Sequence, residues 1–120
     1  YGGSPVPCAA GLATLETIAA ENLTDNATKV GEELLSGLGE LPTRFPRTVT
    51  DVRGVGLMIG VEFRTGEQAD AVQQLAFEHG LLVLACGEST IRMSPPLVIT
   101  LEQAHTALRI FGDSVAAVAE

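Results

Sequence analysis

Arg92 is the charged residue best placed for chemistry. It stands between Ile91 and Met93 in a short strand-like run, so its side chain points away from both. Pro95-Pro96 stiffens the chain just beyond it. An arginine on a rigid strand presents a planar fork that meets a carboxylate through two parallel hydrogen bonds. The same placement suits a structural ion pair or a plain surface arginine, and spacing alone leaves these readings open. Gly2-Gly3-Ser4-Pro5 sets two glycines before a helix start. That pattern can offer free N–H groups and the positive end of a helix dipole to an anion, or serve as an ordinary turn and cap. Lys29 is the one lysine in the chain, with Asp25, Glu32 and Glu33 at i−4, i+3 and i+4. Those neighbours make it a surface ion-pair partner and a poor nucleophile. Gly54-Val55-Gly56 lacks the third glycine and the following helix of a dinucleotide fingerprint and reads as a hairpin turn. His79 reads as a residue closing a helix, and His105 as a solvated residue on a helix's polar side. Cys8 and Cys86 fit no ligand spacing. No catalytic triad, metal set or opposed pair of carboxylates emerges.

The elements that must position these residues follow from periodicity. Ser4-Pro5 reads as N-cap and first helical position, with Pro7 tolerated in the first turn. From Val6 to Ala20 the residues are mostly apolar, and Thr14, Thr17 and Glu21 form one narrow polar stripe. A helix apolar on most of its circumference expects cover on several sides. A second helix restarts at Asn22 or Thr24 and runs to about Leu41. Its apolar face is Ala27, Val30, Leu34, Leu38 and Leu41, with Gly39 and Pro42 as its stop. Thr48 to Arg53 and Leu57 to Phe63 read as strands joined by the glycine turn. Gly60 leaves room for close approach to the backbone. A helix over Glu67–His79 turns Ala69, Val72 and Ala76 inward and stops at Gly80. Leu81–Ala85 and Thr90–Met93 read as strands. Thr100 and Gln103 form a capping box for a last helix with Leu101, Ala104, Leu108, Phe111, Val115 and Val118 on one face. The predicted order, α-α-β-β-α-β-β-α, makes an α+β layer with helices packed on a small, mainly antiparallel sheet.

Composition bounds the rest. The 120 residues make one domain, and an apolar fraction of 46% excludes a disordered chain. Seven basic against 15 acidic residues give a net charge of −8, which argues against nucleic acid or an anionic membrane as partner. Two isolated cysteines fit a cytosolic chain with both thiols reduced. A sequence opening within a glycine turn, without an initiator Met, reads as cut from something larger.

Three stretches together carry a family resemblance. Tyr1-Gly2-Gly3-Ser4-Pro5-Val6 followed by Cys8-Ala9-Ala10 resembles the aromatic-Gly-Gly-Asn-Pro segment of class III pyridoxal-phosphate aminotransferases. Asp51-Val52-Arg53-Gly54-Val55-Gly56-Leu57-Met58-Ile59-Gly60-Val61-Glu62 resembles that family's "DVRGxGLMxGxE" hairpin. Gly80-Leu81-Leu82 and Ile91-Arg92-Met93-Ser94-Pro95-Pro96-Leu97 are similar to its "GLL…IRxxPPL" ending. The match is collinear over nearly the whole chain, and its nearest members are ornithine, acetylornithine and 4-aminobutyrate aminotransferases. Ser4 stands where Asn is usual, and Pro7 where Ala or Gly is common.

The resemblance implies the C-terminal part of a fold-type I homodimer, a cytoplasmic enzyme of amino-acid metabolism with active sites at the subunit interface. Residues 1–21 would be the interdomain turn and connecting helix, and 22–120 the C-terminal small domain. The parent would use pyridoxal 5'-phosphate to move an amino group from an amino-acid donor to a 2-oxo acid such as 2-oxoglutarate. Arg92 falls on the family's arginine for the substrate carboxylate, and Tyr1, Gly2 and Gly3 fall beside its phosphate site. The family's phosphate-binding Thr falls one position before Tyr1, and its Schiff-base lysine and the acidic partner of the pyridine nitrogen also fall upstream. The 120 residues alone are therefore expected to be inactive, needing the rest of the enzyme and a second subunit. Two other readings stand beside this one: a stand-alone non-catalytic binding domain, and part of a class III racemase or mutase.

Overall fold

The computed structural model describes residues 2–119. Pro5–Ala20 forms α1 and Leu23–Gly39 forms α2, joined through Asn22 in the left-handed conformation (φ 51°). Asparagine tolerates that region better than most residues, which lets the chain turn between two helices without a glycine. A one-turn helix α3, Leu41–Arg44, follows. The sequence predicts that Gly39 and Pro42 end the second helix near Leu41, and α2 does end at Gly39, but Pro42 does not stop helical structure altogether. The proline instead falls at a first-turn position, where its missing N–H costs nothing, so a new turn forms around it.

Four strands make one antiparallel sheet in the order β1-β2-β4-β3: β1 Val49–Val55, β2 Met58–Phe63, β3 Leu84–Cys86 and β4 Thr90–Met93. The fold is therefore the expected α+β layer, with α3 added. Helix α4, Gly66–Glu78, connects β2 to β3, capped by the Thr65 hydroxyl accepting from the Gln68 N–H. Helix α5, Leu101–Ala119, closes the chain. Its capping box is present with both bonds, Thr100 N–H to the Gln103 side chain at 3.0 Å and Gln103 N–H to the Thr100 hydroxyl at 3.2 Å.

Helices α2, α4 and α5 cover one face of the sheet. Ile59, Val61, Phe63, Ile91 and Met93 turn toward them and meet Val30, Leu34, Val72, Ala104, Phe111 and Val115, all buried. Phe63 and Phe111 meet edge to face, with ring centroids 6.5 Å apart. The inward positions expected in α4, namely Ala69, Val72 and Ala76, are all buried.

Two strand boundaries differ from the sequence reading. Gly54 and Val55 belong to β1, and the hairpin turns at Gly56-Leu57. Gly54 is small for a different reason: a Cβ there would lie 2.6 Å from the Met58 carbonyl oxygen across the ladder. Gly56 takes the positive φ (54°) of the turn and rests on α2, where a Cβ on Gly31 would meet its carbonyl oxygen at 2.2 Å. Leu81–Val83, expected as strand, run unpaired, and β3 begins only at Leu84.

No residue of α1 is buried, and Val6, Leu12 and Leu15 are largely exposed. Ser4 takes the cap position in extended backbone, yet its side chain makes no capping bond. Among the described residues, no helix is long and apolar enough to cross a membrane.

Candidate functional site

The uncovered face of the sheet gathers the polar residues that the strands hold away from the core. Register alone assigns them. Arg53 of β1 faces Gly60 of β2, Gly60 faces Arg92 of β4, and Arg92 faces Leu84 of β3. One row along, Asp51, Glu62, Thr90 and Cys86 line up across the same four strands. Strand alternation places both rows on the face opposite Val61 and Ile91.

Arg92 is exposed and, among the described residues, has no carboxylate partner, so the structural ion pair left open by the sequence is not formed. With Leu82, Val83, Leu84 and Ser94 it lines a shallow depression. Gly60 beside it leaves the centre of the face low: a Cβ there would touch the Thr90 methyl at 3.3 Å and the Arg53 stem at 4.0 Å.

Arg53 behaves differently. It donates to Asp51 Oδ2 at 2.9 Å and to Glu62 Oε2 at 2.8 Å. Glu62 also accepts from the Ser89 hydroxyl at 2.7 Å and the Thr90 hydroxyl at 2.5 Å. These bonds, Thr90's first, then Ser89's and Arg53's, hold the Glu62 carboxyl down to about 2 against an ordinary 4.5. The same carboxylates push the Arg53 guanidinium up. Sequence reasoning missed this cluster because Glu62 and its hydroxyl partners lie 27 and 28 residues apart. Only the β2–β4 register brings them together.

The other sequence candidates scatter. Lys29 is exposed on α2 and, among the described residues, pairs with none of Asp25, Glu32 or Glu33. Glu33 instead meets His105 Nε2 of α5 at 2.9 Å, so the expected lysine pair is replaced by a contact between helices, and His105, though exposed, is not merely solvated. His79 lies at the C-cap of α4 and is exposed. Cys8 and Cys86 are both exposed free thiols. Tyr1 lies outside the described residues. Gly2 and Gly3 are exposed before α1, and a Cβ on either would meet nothing within 4 Å. Pro5 and Pro7 remove two of the N–H groups a helix start would offer, which leaves few amides there for an anion.

Fold and motifs together define the class: the chain belongs to the aminotransferase class-III family, whose model matches residues 1–115. Among its relatives, the acetylornithine aminotransferase of Synechocystis sp. is 40% identical over 118 residues, covering 97% of this chain and 28% of that protein. That of Gloeobacter violaceus is 43% identical over 110 residues, covering 92% and 27%. Among solved structures, acetylornithine aminotransferase from Elizabethkingia anophelis superposes with a TM-score of 0.87 at 30% identity, covering 98% of this chain and 31% of that one. The chain thus spans a little over a quarter of the length of the curated relatives it matches.

Enzymes resembled by these motifs carry pyridoxal phosphate, and the described residues do not make a site for it by themselves. Lys29 stands exposed on a helix whose neighbouring side chains, Asp25, Glu32 and Glu33, are acidic. Gly2 and Gly3 are exposed and bring no side-chain donor.

Proposed function

We propose that this chain is the C-terminal small domain of a class III aminotransferase, preceded over residues 1–21 by the turn and helix connecting it to a larger domain, and that Arg92 receives the substrate's carboxylate. One observation carries the reading. The arginine that matches the family's "IRxxPPL" ending stands on the open sheet face beside Gly60 and, among the described residues, has no carboxylate partner. The parent enzyme moves an amino group from an amino-acid donor, of the acetylornithine, ornithine or 4-aminobutyrate type, to a 2-oxo acid such as 2-oxoglutarate. Relatives at 40% and 43% identity named acetylornithine aminotransferases favour the first donor. Pyridoxal phosphate, when bound, supplies the electron sink for such transfers. Arg92 contributes orientation: two parallel hydrogen bonds fix the carboxylate, and with it the rest of the substrate. The apolar surface of α1 is covered by the larger domain and a second subunit of a cytoplasmic homodimer.

Arg92→Ala in the full-length protein should weaken amino-acid and oxo-acid binding by about 2–4 kcal/mol, the cost of losing a charged, partly desolvated hydrogen-bonded pair. Arg92→Lys should also be harmful, because a point charge does not replace the fork. Cofactor binding should persist in both. Unchanged substrate affinity in both variants would return Arg92 to a surface role. The 120-residue chain alone should show no turnover of glutamate with added pyridoxal phosphate, and borohydride should fix no stoichiometric label on Lys29.

A further inference from the structure

Among the described residues of the open face, Glu62 is the carboxylate that accepts the most hydrogen bonds. Glu62 uses both oxygens on its own chain, Oε1 toward Ser89 and Oε2 toward Thr90 and Arg53. Thr90 opens the strand that carries Arg92, two residues before it, and Ser89 is the last residue of the preceding turn. That strand needs help: β4 has four residues, and its outer neighbour β3 has three, all exposed, at the sheet edge. The turn between them, Gly87–Ser89, has Gly87 and Glu88 exposed and is tied back by backbone, the Ser89 carbonyl accepting from the Phe63 N–H at 2.8 Å and the Glu88 carbonyl lying against Gly66 at the start of α4. On the inner face Ile91 and Met93 anchor β4 in the core. On the outer face Glu62 is what grips it. Thr90 and Arg92 share that face two residues apart, so the bond that fixes Thr90 also fixes the direction in which Arg92 leaves the sheet. Arg53, whose stem lies over Gly60, is held by Asp51 and Glu62 and stays off Arg92's approach.

Resting on the carboxylate-binding reading of Arg92, we propose that Glu62 is a positioning residue for substrate binding: through the Ser89 and Thr90 hydroxyls it sets the start of β4, and by holding Arg53 it leaves Arg92, among the described residues, as the single free guanidinium on the face. The strong depression of its carboxyl toward acid keeps Glu62 ionised wherever the enzyme works. A substrate carboxylate therefore meets an arginine already aimed, with no second cation competing for it.

The test uses the full-length holoenzyme with Glu62→Gln, and Ser89→Ala combined with Thr90→Val, which removes both hydroxyls while keeping the Arg53 pair. KM for donor and oxo acid should rise roughly tenfold in each variant with kcat little changed, the signature of lost binding rather than lost chemistry. Inhibition by glutarate, an unreactive dicarboxylate, should weaken by the same factor, while the cofactor's visible absorbance stays as in the wild type. Thr90→Ser, which keeps the hydroxyl, should retain the wild-type KM. Unchanged KM and glutarate inhibition in both disruptive variants would overturn the positioning role. So would a fall in kcat at constant KM, which marks general structural damage. Arg92→Ala measured alongside separates the two levels. If it abolishes glutarate inhibition while the Glu62 and hydroxyl variants leave inhibition as in the wild type, only the positioning role falls. If it leaves inhibition intact, the carboxylate reading falls and takes the positioning role with it.

Discussion

The two faces of the sheet are made by the same strands, one residue out of phase, and they obey different rules. On the inner face, Ile59, Val61, Phe63 and Ile91 are at most 2% exposed and pack against three helices. On the outer face, Val55 and Met58 are 87% and 69% exposed, and order comes from hydrogen bonds and charge around Glu62. Core packing thus resides in one set of alternate residues, and the arginine proposed to bind a carboxylate in the other. Substitutions on the two faces should separate accordingly.

The largest effect belongs to the inner face. Phe111→Ala removes a fully buried ring packed edge to face on Phe63, and should cost about 3–5 kcal/mol in urea denaturation of the 120-residue chain. A loss below 1 kcal/mol would mean that the helices grip the sheet far less tightly than this packing requires. Gly31→Ala comes next. Its new Cβ would fall 2.2 Å from the Gly56 carbonyl oxygen, backbone against backbone, so α2 must lift off the hairpin at a cost of roughly 1–3 kcal/mol.

Glu62→Gln should cost less, on the order of 1 kcal/mol near neutral pH, because the group is partly exposed and solvent screens its ion pair. The sign follows from the depressed carboxyl. Its contribution is fully present above the unfolded value near 4.5 and is lost as pH falls through about 2. The gap between wild type and variant should therefore be widest above 4.5 and close toward 2, as followed by denaturation across that range. A gap independent of pH would show that the hydrogen bonds, and not the charge, matter. The smallest effect is expected at the hairpin tip. Val55→Thr with Met58→Gln should change stability by no more than about 0.5 kcal/mol, since neither side chain is buried. The same pair should reduce self-association in light scattering, because it removes apolar surface from the open face.

The inner face was largely legible in the sequence and the outer face was not, for one physical reason. Core positions announce themselves through local period, as Ala69, Val72 and Ala76 do in α4, and capping chemistry is local too, as Thr100 and Gln103 show. The Glu62 cluster depends on strand register, which a sequence states only through pairs it does not mark. Leu81–Val83 illustrates the limit from the other side. Its apolar run reads as strand, but these residues fold along the edge of the core, where Leu81 and Val83 are half-buried, and only Leu84 reaches a partner. Lys29 failed differently. Its helical neighbours were legible, but Glu33 turned to His105 across the α2–α5 contact, a competitor that spacing within one helix does not reveal. Arg92 was legible because alternation alone gives its direction, although its lack of a partner was not.

Asn22 gives the first helix a mechanical advantage. All sixteen residues of α1 hang from that one left-handed residue, so the helix is an arm of about 24 Å. A rotation of only ~10° at its base swings the far end by about 4 Å, more than the length of a hydrogen bond. The Gly2-Gly3 turn rides at that tip. Where its amides sit relative to Arg92 is thus set by leverage about a single residue in the chain, at a distance where small angles become whole atomic spacings.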